Sequence, residues 1–335
     1  MAEKYQHGVL LATVGAPSLF EKKEVGSFYK RYFSNSRIQS GTKIAWRVKL
    51  YSRILRVRTD SYMEKIDYLQ SRDEKQPTTN YNKLALALER ELKDEVIVNY
   101  GECYGQQSVQ NALEKLKLFG CRNLFVLPLY PQSAYITSGV VRDIVNHSLK
   151  KIKWNIDYHF IDNYHDNPFY IKALASSLKH TGFEVDSDDR LLFSYQSISV
   201  KDIEAGDTFE LQTGATSLQI ASELEIDRNR WTIGYQNPLD TQGEWLKPAS
   251  DEVVVRWAEG GTGRIFFMCP GYAMENIETL YDVKHQFKSI YTETRKMHGK
   301  SYGQGEYIYS PCLDLTKAHV KVLTNVLQPY IKETN

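Results

Sequence analysis

The sequence lacks most of the features that mark a secreted, membrane-spanning or nucleic-acid-binding chain. It has only four cysteines, without Cys-x-x-Cys spacing, so neither a disulfide framework nor a structural zinc site is indicated. No hydrophobic run approaches the length that is needed to cross a bilayer. The 42 basic residues nearly cancel the 41 acidic ones, which gives no general attraction to nucleic acid. These absences predict a cytoplasmic protein that binds no nucleic acid.

What the sequence does contain is a series of short apolar runs separated by helical patterns. Residues 8–14 read GVLLATV, which is typical of a strand that is buried on both faces. Similar runs begin at Glu95 and Asn123, and a helical pattern that starts near Ser108 lies between them. Strand, helix and strand in this order predict a parallel sheet of the α/β class.

The same alternation begins again at Trp154. It continues with a predicted helix over Pro168–His180 and predicted strands at Leu191–Tyr195, Trp231–Tyr235 and Arg264–Cys269. We therefore predict two Rossmann-like domains, residues 1–150 and residues 151–314, with a closing helix over 315–334 that joins the first domain. Their parallel sheets should face a central cleft, because ligands of such sheets bind at the carboxyl ends of the strands.

One segment departs from the even charge balance. Between Lys30 and Arg58 there are nine basic residues and no acidic one. Apolar residues of this segment share one helical face, namely Ile44, Val48, Tyr51 and Leu55. Two interpretations are open. The segment is either an anion-binding or membrane-facing helix, which would give a peripheral membrane contact, or a solvated basic face over a packed apolar stripe; the sequence favours the second.

Seven short segments follow one another in a recognisable order. They are VLLATVGAP from Val9, LFVLPLYPQ from Leu124, LLFSY from Leu191, GDTFELQ from Gly206, GEWLKP from Gly243, CPGYAMENIETLYD from Cys269 and PCLDLTKAH from Pro311. Each segment alone is weak evidence, but together, over nearly the whole chain, they resemble the ferrochelatase family. The resemblance implies chelatase-type domains around a flat tetrapyrrole, into which ferrous iron is inserted in haem biosynthesis. Its implied partners are a porphyrin, protoporphyrin IX or coproporphyrin III, and Fe(II) as substrate, with no permanently bound cofactor and no iron–sulfur cluster.

The resemblance assigns catalytic and metal-binding roles to two positions. Glu278 falls where the family keeps its catalytic glutamate, and a carboxylate there can relay protons. Gln196 follows LLFSY, where the family has histidine. An amide cannot take up a proton at neutral pH and coordinates a metal only weakly, so Gln196 is predicted to impair catalysis. Asn99 and Asn276 likewise stand where the family has arginine and histidine.

Five positions are predicted to contact the porphyrin. They are Val14, Arg58, Asn99, Trp245 and Tyr272. Val14 can pack against the macrocycle, and Trp245 and Tyr272 can stack on it, although each aromatic ring equally suits a protein core. Arg58 can pair with a propionate, or is one more member of the basic segment.

Three functions stay open at this stage. The first is an active ferrochelatase, a metal-inserting lyase. The second is a porphyrin or haem carrier or regulator with little turnover, which the residues at positions 99, 196 and 276 favour. The third is a chelatase for another metal or macrocycle, since a fold does not determine a function.

Overall fold

The fold is described from a computed structural model of the chain. The structure describes residues 5–17, 20–39, 42–74, 80–93, 95–238, 243–298 and 305–334. The chain divides into two compact units. Unit 1 comprises Met1–Leu129, Ala134–Asn163 and Leu323–Asn335, and unit 2 comprises Tyr130–Ser133 and Tyr164–Val322.

Unit 1 is built on a parallel sheet. Its strands are β1 (His7–Thr13), β2 (Val96–Glu102), β3 (Asn123–Pro128) and β4 (Tyr158–Phe160), in the order β2-β1-β3-β4. Its helices are α1 (Lys22–Phe33), α2 (Lys43–Lys49), α3 (Leu55–Ser71), α4 (Tyr81–Leu92), α5 (Val109–Leu118) and α6 (Ser138–Lys151). A π-helical segment, Leu50–Ile54, joins α2 to α3. Strand β1 is buried along its whole length, which explains its continuous apolar sequence.

Unit 2 repeats this plan. Its strands are β5 (Arg190–Gln196), β6 (Trp231–Gln236), β7 (Arg264–Met268) and β8 (Glu306–Ser310), in the order β6-β5-β7-β8. Its helices are α7 (Pro168–His180), α8 (Val200–Glu204), α9 (Phe209–Glu223), α10 (Ser250–Glu259), α11 (Lys288–His298) and the first part of α12 (Lys317–Glu333). A π-helical segment, Glu278–Phe287, precedes α11, and a 3₁₀ turn, Arg228–Arg230, precedes β6. The predicted α/β class with two parallel sheets is confirmed.

The strand order places a topological switch point in each unit. Strand β5 lies between β6 and β7, so the chain leaves β5 toward one side of the sheet and reaches β7 on the other. Ligands of open α/β sheets bind where the order reverses, beyond the carboxyl ends of the central strands. In unit 2 a ligand-binding site is therefore expected among the residues that follow β5 and β7.

The apolar stripe predicted to pack beneath the basic segment is mostly exposed. Its exposed members are Ile44 (79 %), Val48 (65 %) and Tyr51 (53 %), while Leu55 is partly buried. The buried side chains of the same helical region are instead Trp46, Leu50 and Ile54. The Trp46 indole packs on the Phe33 ring and donates to the Phe33 carbonyl at 2.8 Å. The packed-stripe prediction is wrong because the helix carries apolar residues on two faces, and the contacts of Trp46 decide which face turns inward.

Candidate active site

Three side chains form a hydrogen-bonded chain beyond the carboxyl ends of β5 and β7. Gln196 is the last residue of β5, Tyr272 lies in the loop after β7, and Glu278 begins the π-helical segment. The Tyr272 hydroxyl oxygen lies 2.9 Å from Gln196 Oε1 and 2.5 Å from Glu278 Oε2. All three side chains are partly buried. The structure thus brings together the two predicted catalytic residues and one of the predicted porphyrin contacts.

The orientation of the Gln196 amide follows from its second partner. Gln196 Nε2 donates to the backbone carbonyl of Asn237, which can only accept, so the amide oxygen must face Tyr272. Asn237 Nδ2 in turn donates to Asp282 Oδ2 at 3.0 Å. The prediction missed Asn237 and Asp282. A signal for both existed, since Asn237 directly follows β6 and Asp282 comes one helical turn after Glu278.

The Tyr272 phenol is a neutral link in this chain. Burial, and after it the neighbouring Glu278 carboxylate, raises the pKa of Tyr272 well above its usual value, so the hydroxyl keeps its proton at neutral pH. One hydroxyl proton can serve only one of the two neighbouring oxygens at a time. Of the three side chains, Glu278 is the one with a carboxylate, the only group of the three whose oxygens are basic in their ionised form.

Asn276 determines where the helical segment with Glu278 begins. Its Oδ1 accepts from the backbone nitrogens of Glu278 at 2.9 Å and Thr279 at 3.2 Å. The Thr279 hydroxyl accepts in return from the Asn276 backbone nitrogen at 2.9 Å. Such reciprocal capping satisfies backbone donors that would otherwise lack partners. Asn276, which the sequence indicated only as a lost imidazole, therefore also positions the predicted catalytic residue Glu278.

The Glu275 carboxylate braces the same loop against the end of β8. It accepts from Cys312 N at 2.9 Å and from the Thr279 hydroxyl at 2.5 Å. The Tyr309 hydroxyl lies 3.1 and 3.2 Å from its two oxygens. Because these partners come from two separate parts of unit 2, Glu275 stabilises the loop that carries Tyr272.

Trp245, the remaining predicted porphyrin contact in unit 2, follows β6 and is partly buried. Its Nε1 is buried and has no hydrogen-bond partner among the described residues. Buried donors are usually satisfied, so this atom is a candidate to meet a ligand or a water molecule.

The other predicted porphyrin contacts belong to unit 1. Val14 directly follows β1 and packs beside the buried Phe28 and Tyr104. Asn99 lies within β2, and its Nδ2 is a second buried donor without a partner in the described part of the chain. Arg58 is partly buried on α3. Contact of these residues with a porphyrin stays a prediction.

Unit 1 also contains a buried carboxylate that the prediction missed. Glu102 ends β2, and it accepts from the Tyr100 hydroxyl and the Gln107 backbone nitrogen, each at 3.1 Å. Burial raises the pKa of Glu102 above its usual value. A side chain at Gly105 would collide with this carboxylate. These satisfied contacts give Glu102 a structural role in the loop after β2.

Two features are absent from the described ranges. Within them no group of three or more histidine, cysteine, aspartate or glutamate side chains could hold a metal ion. None of the helices in that part of the chain combines the length and apolar character that crossing a bilayer requires. The four cysteines are free thiols, and Cys103 is the partly exposed one.

The fold is shared with chelatases of known structure. The chain is similar to SirB from Bacillus subtilis with Fe³⁺, with a TM-score of 0.56 and 11 % identity over 96 % of this chain and 94 % of that one. It is also similar to the sirohydrochlorin chelatase SirB from Bacillus subtilis subspecies spizizenii in complex with cobalt, with a TM-score of 0.55 and 8 % identity over 98 % and 96 % of the two chains. At these identities the likeness defines the chelatase fold and nothing finer.

Sequence comparison is more specific. The Ferrochelatase family model matches residues 6–330. The chain is 29 % identical to the ferrochelatase of Nitrosococcus oceani over 97 % of its own length and 87 % of that protein. It is 29 % identical to the ferrochelatase of Nitrosomonas europaea, with 97 % and 88 % coverage. This chain belongs to the ferrochelatase family, as the seven segments predicted.

Proposed function

We propose that this chain binds a porphyrin and inserts ferrous iron into it in haem biosynthesis. The observation that carries the proposal is the chain of Gln196, Tyr272 and Glu278 at the switch point of unit 2, in a member of the ferrochelatase family. Insertion exchanges two pyrrole N–H protons for one divalent iron, so the site needs a proton acceptor. The Glu278 carboxylate supplies that acceptor.

The other residues take supporting roles in this proposal. The Gln196 carbonyl meets the incoming metal, more weakly than an imidazole would. Trp245 Nε1 and Asn99 Nδ2, two buried donors without a partner among the described residues, support a polar ligand, since buried donors rarely stay unsatisfied. Val14 packs against the macrocycle and Arg58 pairs with a propionate, two roles that rest on the family resemblance.

The specific observation that favours a second function is the amide at position 196. Gln196 is held by Tyr272 and by the Asn237 carbonyl, and it cannot accept a proton. Loss of a positioned base typically lowers a rate by about 10²- to 10⁴-fold. A chain impaired to this extent would act as a porphyrin or haem carrier or regulator. A chelatase for another metal or macrocycle would instead turn over with a different substrate pair.

One anaerobic assay separates these functions. Purified protein is mixed with protoporphyrin IX or coproporphyrin III, and then with Fe(II) or Zn(II), while the Soret band is followed. Insertion with protoporphyrin or coproporphyrin supports the chelatase, and Glu278→Gln should then abolish insertion but keep porphyrin binding. A Soret shift without turnover supports the carrier, and the absence of any shift contradicts both.

We further propose a peripheral contact of the basic segment with an anionic lipid surface. Ile44, Val48 and Tyr51 expose apolar surface on a segment with nine basic and no acidic residues from Lys30 to Arg58. Apolar side chains among cations are the pattern that binds helices to the interface of anionic bilayers. Exposure of this stripe, instead of the expected packing, supports the membrane-facing alternative.

A further inference from the structure

The hydroxyl of Tyr272 joins the two residues that are expected to meet the metal. It lies 2.9 Å from Gln196 Oε1 and 2.5 Å from Glu278 Oε2, whereas a phenylalanine ring would fill the same space without linking them. The ring itself packs against the buried core of unit 2, so the hydroxyl is held in place from behind. A fixed hydroxyl restricts the rotamers of both neighbours.

The two atoms of Gln196 and Glu278 that accept from this hydroxyl are both oxygens. Gln196 Nε2 is engaged by the Asn237 carbonyl, so the amide presents its oxygen toward Tyr272 and Glu278. Oxygen donors suit hard ions such as Mn²⁺, whereas an imidazole nitrogen suits Zn²⁺ and Fe²⁺. Replacement of an imidazole by an amide oxygen therefore changes the chemistry of the donor set as well as its ability to accept a proton.

We propose that Tyr272 is a positioning residue that holds the Gln196 carbonyl and the Glu278 carboxylate together as an all-oxygen donor set for the incoming metal ion. This set discriminates less in favour of Zn²⁺ over Mn²⁺ than an imidazole–carboxylate pair does. The inference rests on the proposed metal-inserting function and adds its metal preference. It gives Tyr272 a role beyond that of an aromatic wall.

The test is a calorimetric titration of the full chain with Mn²⁺ and with Zn²⁺, without porphyrin. Binding that survives Glu278→Gln is assigned to other sites and subtracted. Tyr272→Phe should weaken the binding of both ions about tenfold or more, as expected for a lost hydrogen bond to a charged group. Porphyrin affinity, read from the Soret shift, should change less than about twofold, because the ring is kept. Gln196→His should raise the Zn²⁺-to-Mn²⁺ affinity ratio about tenfold or more.

Tyr235→Phe is the matched control. Tyr235 is a buried tyrosine of β6 whose hydroxyl lies 3.1 Å from Thr213 Oγ1, outside the donor set. It should leave both metal affinities unchanged, and thermal melts should show both phenylalanine variants folded. The inference is overturned if Tyr272→Phe binds the ions like the wild type, if Tyr235→Phe weakens them equally, or if Gln196→His leaves the affinity ratio unchanged. It is also overturned if the wild type binds neither ion below millimolar concentration.

The metal titrations test the role of Tyr272 independently of the proposed iron insertion. The titrations contain no porphyrin and need no turnover. A wild type that binds metal and porphyrin but inserts no iron contradicts the chelatase proposal, while the response of metal binding to Tyr272→Phe still decides the role of Tyr272. Normal iron insertion by the wild type, together with unaltered metal binding by Tyr272→Phe, would support the chelatase proposal and contradict the positioning role of Tyr272.

Discussion

At the scale of single residues, Gln196 combines a fixed orientation with a side chain that differs from the histidine of the family. Its amide is oriented by Tyr272 and the Asn237 carbonyl, so the side chain is well placed but has no proton-accepting atom. The effect of this amide on catalysis stays a prediction from the sequence. The sequence could not identify the partners of Gln196, because Tyr272 and Asn237 are distant from it along the chain.

Replacement of Gln196 by histidine should raise the rate of iron insertion. An imidazole can accept a pyrrole proton near neutral pH, and a positioned base is worth about 10²-fold or more. The measurement is kcat for Fe(II) insertion under anaerobic conditions, with Gln196→Leu as a control that adds no base. If the histidine variant binds porphyrin normally but is no faster than the wild type, Gln196 does not limit the reaction.

Asn276→Ala should destabilise unit 2 by about 1 kcal/mol, because the alanine cannot accept from the backbone nitrogens of Glu278 and Thr279. Asn276→Asp keeps an acceptor oxygen and should retain most of the stability. Urea unfolding measures both variants. Equal midpoints for the alanine and aspartate variants would mean that the cap contributes nothing.

At the scale of elements, the helical region of α2 and α3 carries two apolar stripes on different faces, one buried and one exposed. The inward stripe includes Trp46, which bonds the Phe33 carbonyl, and the outward stripe includes Ile44 and Val48. Helical periodicity predicted an amphipathic helix but not its rotation about its axis. With basic residues around both stripes, only the packing partners distinguish the two faces.

The double variant Ile44→Ser/Val48→Ser should bind anionic vesicles about tenfold more weakly than the wild type, since each side chain loses apolar surface that can enter the bilayer interface. Both residues are exposed, so the effect on folding should be small. Co-sedimentation with phosphatidylserine vesicles at low and high salt measures the change. The matched control is Leu86→Ser/Leu118→Ser, which removes two other exposed apolar side chains of unit 1. Equal losses in both pairs would contradict a specific membrane face.

At the scale of the whole molecule, α12 belongs to both units, with residues up to Val322 in unit 2 and from Leu323 in unit 1. Its first turn contains His319, which is buried and whose Nδ1 lies 2.7 Å from the Asp314 carbonyl oxygen. Since a carbonyl only accepts, Nδ1 carries a proton and donates it. Burial lowers the pKa of His319 below its usual value.

This pKa shift makes the stability of the chain sensitive to acid. The folded pKa lies below the unfolded value of about 6.5, so the unfolded chain binds more protons in acid. The stabilisation is complete above that unfolded value and is lost as the pH falls through the folded pKa. We therefore expect the melting temperature of the wild type, relative to His319→Gln, to stay constant above about pH 6.5 and to fall as the pH is lowered from there. The exposed His147, as His147→Gln, is the control, and a constant difference between wild type and His319→Gln would refute the linkage.

The amino-acid sequence by itself determined the class of fold and the family. A strand covered on both faces must be apolar throughout, so β1 and β3 were recognisable, and the predicted helix over Pro168–His180 is α7 with the same bounds. The short strand β8 was not predicted, because its tyrosine-rich sequence has no continuous apolar run.

Only the tertiary structure decided which side chains meet. The hydroxyl of Tyr272 reaches Gln196 and Glu278 because parallel strands bring the ends of β5 and β7 to one edge of the sheet. Asn276 acts as a cap because the chain turns into a helix at that point. The outward stripe of the basic segment follows from the contacts of Trp46. The periodicity of apolar residues reflects which face of a helix or strand is buried. Hydrogen bonds between residues that are distant along the chain form only when the strands are aligned in the sheet.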